Sequence, residues 1–139
     1  ATVPLTLKKN ADKFTDWADL DKSSVTVAAT LGTTQEKQVK QFFPNAQYKI
    51  VEAPARDFQE VLAGRADAHI TSCVAAYKLV AKYTEMMIVP VSAPKAPTPI
   101  AMLLPQGDQV WINYVNTWIA LKTERGFFAE LGRKWQLSN

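Results

Sequence analysis

Apolar and polar positions change period along the chain. Val3-Pro4-Leu5-Thr6-Leu7 alternates, the period-two mark of a strand, and its proline suggests a strand start or an edge. Residues 10–21 are polar, with Trp17 and Leu20 as buried anchors of a loop with a helical turn. Val25-Thr26-Val27-Ala28-Ala29 is the β-branched, small-residue run of a buried strand. The Gly32 turn follows, then a helix over residues 35–42, where Thr33-x-x-Glu36 fits a capping box. Pro44-Asn45 ends it.

Tyr48-Lys49-Ile50-Val51 predicts a further strand. Residues 56–63 predict a short helix burying Phe58, Val61 and Leu62, with Gly64 where a left-handed cap is needed. Ala68-His69-Ile70-Thr71 and Met86-Met87-Ile88-Val89 read as strands. Between them residues 72–83 form a helix with Val74, Tyr77 and Val80 at helical spacing. Strands alternating with helices predict an α/β fold with an open, parallel-rich sheet flanked by helices.

The texture then changes. Pro90, Pro94, Pro97 and Pro99 exclude regular helix and mark a boundary. Ile100-Ala101-Met102-Leu103-Leu104 reads as a strand. A longer helix runs from Asp108 to Glu124, with Val110, Tyr114, Val115, Trp118, Ile119 and Leu121 on its apolar side. Gly126 breaks it. A last amphipathic helix carries Phe127, Phe128, Leu131 and Trp135.

Composition narrows the function. A chain of 139 residues with 47% apolar positions can build a real core. The net charge of +3 comes from scattered lysines, so nucleic acid is not expected as a partner, because phosphate tracking needs a clustered basic face. One cysteine, Cys73, and one histidine, His69, exclude an internal disulfide and a His/Cys zinc site. No apolar run is long enough to span a membrane. No charged-then-apolar signal segment opens the chain, so export would require a signal already removed or lying upstream.

Three positions carry candidate chemistry. A buried strand ending in Leu31-Gly32-Thr33-Thr34 and opening a helix offers free N–H groups, a positive dipole end and two hydroxyls to an anion. The same residues also suit an ordinary turn capped by Thr33. Ser72 either caps its helix or faces the same cleft. His69 reads as a satisfied or surface histidine, and Cys73 as a packing residue, since no base accompanies it.

In this order, Ala18-Asp19-Leu20, Val25-Thr26-Val27, Gly32-Thr33-Thr34-Gln35-Glu36, Val61-Leu62-Ala63-Gly64-Arg65-Ala66-Asp67-Ala68 and Val74-Ala75-Ala76-Tyr77 form a pattern. With the tail from Leu104-Pro105-Gln106-Gly107-Asp108 to Lys134-Trp135, it resembles the polar amino-acid binding family of periplasmic solute-binding proteins, solute-binding protein family 3. Cyclohexadienyl dehydratases are related to that family. The resemblance covers nearly the whole chain. It implies a periplasmic-binding-protein-like type II fold, with two α/β lobes closing on a ligand. Residues 1–97 would be the second lobe, and residues 98–139 the carboxy-terminal strand and helices completing the first lobe. The amino-terminal part of the first lobe would lie outside this chain, which alone would then bind weakly or not at all.

The resemblance further implies an extracytoplasmic solute-binding component of an ABC-type uptake system, periplasmic or extracellular and membrane-associated. Its partners would be a small carboxylate or amino-acid-like ligand and the transporter's membrane permease, with no cofactor and no catalytic residue. A ligand-sensing domain of a receptor is an alternative. Gly32, Thr33 and Thr34 would take the ligand carboxylate, and Gln35 would reach its side chain. The family's ammonium-binding aspartate corresponds to Ser72, which cannot neutralise a cation. That favours a carboxylate lacking the amino group, or a cation balanced from elsewhere. The dehydratases' acid glutamate corresponds to Ala75, which transfers no proton. Unpaired apolar surface on Trp111, Trp118 and Phe127 offers a route to self-association.

Overall fold

The computed structural model describes residues 1–99 and 101–135. Its element order is β1 (Thr2–Leu7), α1 (Trp17–Leu20), β2 (Thr26–Thr30), α2 (Thr34–Phe42), β3 (Gln47–Val51), α3 (Asp57–Leu62), β4 (Ala68–Ser72), α4 (Cys73–Lys82), β5 (Met86–Ile88), α5 (Gln109–Glu124) and α6 (Phe127–Lys134). The chain divides into two units, Ala1–Pro97 and Thr98–Asn139.

In the first unit the strands form one sheet in the order β3-β2-β4-β1-β5. β2 runs parallel to β3 and β4, whereas β1 runs antiparallel to β4 and β5. β1 is therefore an interior strand, not the start or edge that Pro4 suggested. Pro4 sits where its missing N–H costs nothing to the ladder. The β1–β5 pairing stops at Leu5↔Ile88. One step beyond, the Val89 N–H donates to the Pro4 carbonyl (3.0 Å), and the Val89 carbonyl accepts from Val91 N–H (2.7 Å) instead of from Pro4. The proline-rich segment forms no helix, as expected; it bends at Ser92, Ala93 and Ala96, and Thr2 and Lys95 exchange backbone hydrogen bonds of 2.7 and 3.0 Å.

Both sheet faces are buried, which explains the nearly continuous apolar strands. Val27, Ala29, Ala68 and Ile70 face one core with Phe14, Trp17, Leu20, Val39 and Phe43 of the α1/α2 layer. Val3, Leu5, Leu7 and Ala28 face the other with Val61 of α3 and Ala76 of α4. Trp17 stacks on Phe43 at 5.8 Å, and its indole N–H donates to the Ala93 carbonyl at 2.8 Å. Along α4 the packed positions are Cys73, Ala76, Leu79 and Val80, so Val74 is left exposed, off the stripe its spacing suggested. Cys73 is a packing residue, as the sequence indicated. Gly64 closes α3 at φ +71°.

The second unit contains α5 and α6. Asp108 caps α5 by accepting from Trp111 N–H at 2.9 Å, and Gly126 turns the chain at φ +72°. One expectation fails here. Residues 101–104 form no strand: none of the described residues pairs with them, and Leu103 is fully exposed; the Ile100 end of that expected strand lies outside the described residues. Half of the apolar side of α5 is uncovered within the unit. Val115 is buried, but Val110 is 81% and Tyr114 62% exposed. Trp118 meets Phe127 and Phe128 edge-on at 6.1 and 6.0 Å, which joins α5 to α6. No helix among the described residues is long and apolar enough to cross a membrane.

Candidate functional site

The strand order creates the site. From β2 the chain crosses through α2 to β3 on one side. From β3 it crosses through α3 to β4 on the other side of β2. The direction of the crossovers reverses there, which opens a crevice at the carboxyl ends of the parallel strands β2 and β4. A pocket of about 390 Å³ lies there. Thr30 ends β2 at its rim and Ile70 and Thr71 come from β4. Thr33 and Gln35 enter from the start of α2, Arg56, Asp57 and Phe58 from the start of α3, and Ala75, Lys78 and Leu79 from α4.

The turn into α2 is more committed than its sequence suggested. The Thr33 hydroxyl accepts from Glu36 N–H at 3.3 Å and donates to the Thr30 carbonyl at 2.6 Å. Glu36 reaches back one residue further than a capping box requires. Its Oε2 accepts from Gly32 N–H at 2.9 Å, while Oε1 accepts from Lys40 at 2.8 Å. The Lys40 hydrogen bond, followed by that of Gly32, lowers the Glu36 pKa below the usual carboxylate value. Gly32 N–H and the Thr33 hydroxyl are thus engaged within the protein. The N–H groups of Thr34 and Gln35 have no protein acceptor among the described residues.

Of the expected site residues, the pocket brings together Thr33 and Gln35. Gly32 and Thr34 belong to the same turn but are not part of its wall. Ser72 is exposed, and its hydroxyl accepts from Ala75 N–H at 3.2 Å, capping α4. Ala75 itself lines the pocket and brings no acid to it.

His69 departs from expectation. It is neither at the surface nor satisfied: it is 1% exposed, and neither ring nitrogen has a hydrogen-bond partner among the described residues. Its place on β4 turns it toward the α3/α4 layer, where Phe58 lies 6.4 Å away. Its Nδ1 stands 3.6 Å from Asp57 Oδ1, too far for a hydrogen bond. Asp57 is held by the Phe58 N–H at 2.8 Å. Arg56 and Lys78 make no ion pair among the described residues. The pocket therefore carries two unpaired cations, one carboxylate and a buried imidazole. The sequence reading missed Arg56, Asp57 and Lys78, whose charges at helix surfaces look like solvated ones. No three or more His, Cys, Asp or Glu side chains among the described residues converge as a metal site.

No family model matches the chain. Among curated proteins it is similar to cyclohexadienyl dehydratase of Pseudomonas aeruginosa, 24% identical over 133 residues, which cover 96% of this chain and 49% of the relative. Among solved structures it is similar to an ancestral cationic amino acid solute binding protein, with 36% identity and a TM-score of 0.75 over 97% of this chain and 57% of that one. An ancestral cyclohexadienyl dehydratase aligns at 34% identity and TM-score 0.65, over 97% and 56%. A binding component of an ABC transporter from Wolinella succinogenes, complexed with lysine, shares the fold at 24% identity and TM-score 0.73, over 99% and 59%.

These neighbours are solute-binding proteins of the family that the sequence resembles, together with the dehydratases related to it. The chain has their α/β fold, a five-stranded sheet flanked by helices, and spans about half of their length.

Proposed function

We propose that the chain is the ligand-gripping part of an extracytoplasmic solute-binding protein serving an ABC-type membrane permease, and that its solute carries a carboxylate. In this reading residues 1–97 are the second lobe, and residues 98–139 complete the first. The observation that carries it is the crevice between β2 and β4, with the free N–H groups of Thr34 and Gln35 at its edge and the unpaired cations Arg56 and Lys78 on its wall. A helix start with unfilled donors and nearby positive charge suits a carboxylate. Thr33 then shapes the turn and Thr34 and Gln35 hold the anion, while Gly32 N–H stays with Glu36. Ser72, engaged as a cap, has no charge to offer an ammonium group, which favours a carboxylate solute over an ordinary α-amino acid.

The test is an amide-resolved NMR titration of the chain with butyrate. Shifts centred on Thr34 and Gln35, with weak, fast exchange, are expected. Shifts scattered over the surface, or none at those two residues, would overturn the reading.

A dehydratase is the second reading, favoured by the relatives of that name. Ala75 on the pocket wall speaks against it, because alanine supplies no proton. Prephenate turnover above the uncatalysed rate would reverse this ranking.

A further inference from the structure

Resting on the carboxylate reading, we infer that the solute carries a second acidic group, which enters the pocket beneath α3 and α4 and is received by His69 with Lys78 and Arg56.

His69 is the observation that points to a ligand. Its ring is almost wholly withdrawn from solvent, lines the pocket and has no hydrogen-bond partner at either nitrogen among the described residues. A buried polar group without a partner is costly, so such a group on a pocket wall is a receptor for a polar atom. Even the neutral ring carries one N–H donor and one acceptor nitrogen, and neither is taken up by a group of the protein among the described residues. Lys78 from α4 and Arg56 from the start of α3 line the same pocket and form no ion pair among the described residues. Asp57 is the one acid on the wall, facing three basic side chains.

The first carboxylate and the second draw on different donors. Thr34 and Gln35 belong to α2, whereas His69, Lys78 and Arg56 belong to β4, α4 and the start of α3. A dicarboxylate of suitable length would use both sets, and a monocarboxylate only one. The opposite arrangement, an ammonium group held by Asp57, would add a cation to a wall that already carries Arg56 and Lys78.

The experiment compares succinate, glutarate and adipate with butyrate and 4-aminobutyrate, titrated into the full chain. His69 is the single histidine, so its imidazole signals need no assignment by mutation. At least one dicarboxylate is expected to bind about tenfold tighter than butyrate, the gain of one charge-assisted hydrogen bond. It is also expected to move the imidazole signals where butyrate does not. Lys78→Met, a change at an exposed position, should shrink the ratio between that dicarboxylate and butyrate.

Butyrate shifting Thr34 and Gln35 while no dicarboxylate binds tighter would overturn the second acidic group and leave the carboxylate reading intact. So would tighter dicarboxylate binding with a motionless imidazole. Preference for 4-aminobutyrate would assign Asp57 to an ammonium instead. Failure of every probe to reach Thr34 and Gln35 would remove the carboxylate reading itself.

Discussion

The backbone N–H of Gly32 donates to the side chain of Glu36 at 2.9 Å, so a carboxylate of the protein already occupies part of its own anion-suited turn. Lys40 holds the other carboxylate oxygen at 2.8 Å. An incoming anion meets both a used donor and a negative charge. Replacing Glu36 by alanine frees the N–H and removes that charge. Butyrate affinity is expected to rise roughly two- to tenfold, the span of one hydrogen bond, while thermal stability falls through loss of the cap. Unchanged or weaker binding by NMR titration would mean that Gly32 is out of a ligand's reach.

Thr33 works as a structural hinge of the same turn, accepting from Glu36 N–H and donating to Thr30. Thr33→Ala should cost about 1 kcal/mol, the usual loss at an N-cap. Thr33→Ser keeps the hydroxyl and should recover most of it. Urea unfolding of the two variants makes the comparison. Equal stability of alanine and serine would show that the hydroxyl contributes nothing.

Much of the first unit was legible because its signals are local. β2 and β4 are runs of β-branched and small residues, and Thr33-x-x-Glu36 marks the start of α2 on composition alone. What escaped depends on partners distant in sequence. Pro4 looked like an edge residue because nothing local reveals that β5 stops one residue short of it. Residues 101–104 have strand composition but no strand to pair with among the described residues. Val110 and Tyr114 keep helical spacing whether or not anything covers them. Arg56, Asp57, His69 and Lys78 lie on three elements, and only the strand order brings them to one pocket. A sequence pattern reports which face a side chain occupies, not whether its nitrogen finds a partner.

Glu60 links stability to pH. It is 7% exposed and accepts from Arg65 at 2.7 and 2.8 Å, with Lys49 at 3.2 Å. Arg65 above all, with Lys49 beside it, outweighs burial and holds the carboxyl at about 2, against an ordinary 4.5. The folded pKa is depressed, so the contribution is complete above 4.5 and is lost as pH falls toward about 2. Across that window the unfolded chain binds the extra proton, and stability rises with pH. Urea midpoints measured through it should fall less steeply on acidification in Glu60→Gln than in the native chain. Parallel slopes would exclude Glu60 as a source of the acid dependence.

The charge of the pocket wall bears on ligand choice among the relatives' solutes. A structural neighbour from Wolinella succinogenes is complexed with lysine. Here a lysine side chain entering the crevice would meet Arg56 and Lys78, with Asp57 as the one opposing charge on the wall. Like charges near a partly solvated surface repel, and salt weakens the effect. L-Lysine is therefore expected to bind more weakly than L-norleucine, which has a similar apolar stem and no terminal charge. The gap should narrow in high salt and in Lys78→Met. Norleucine serves as the internal control, because both ligands present the same carboxylate to Thr34 and Gln35. Lysine binding tighter than norleucine would mean that Asp57 outweighs both cations, and the wall would then select cations.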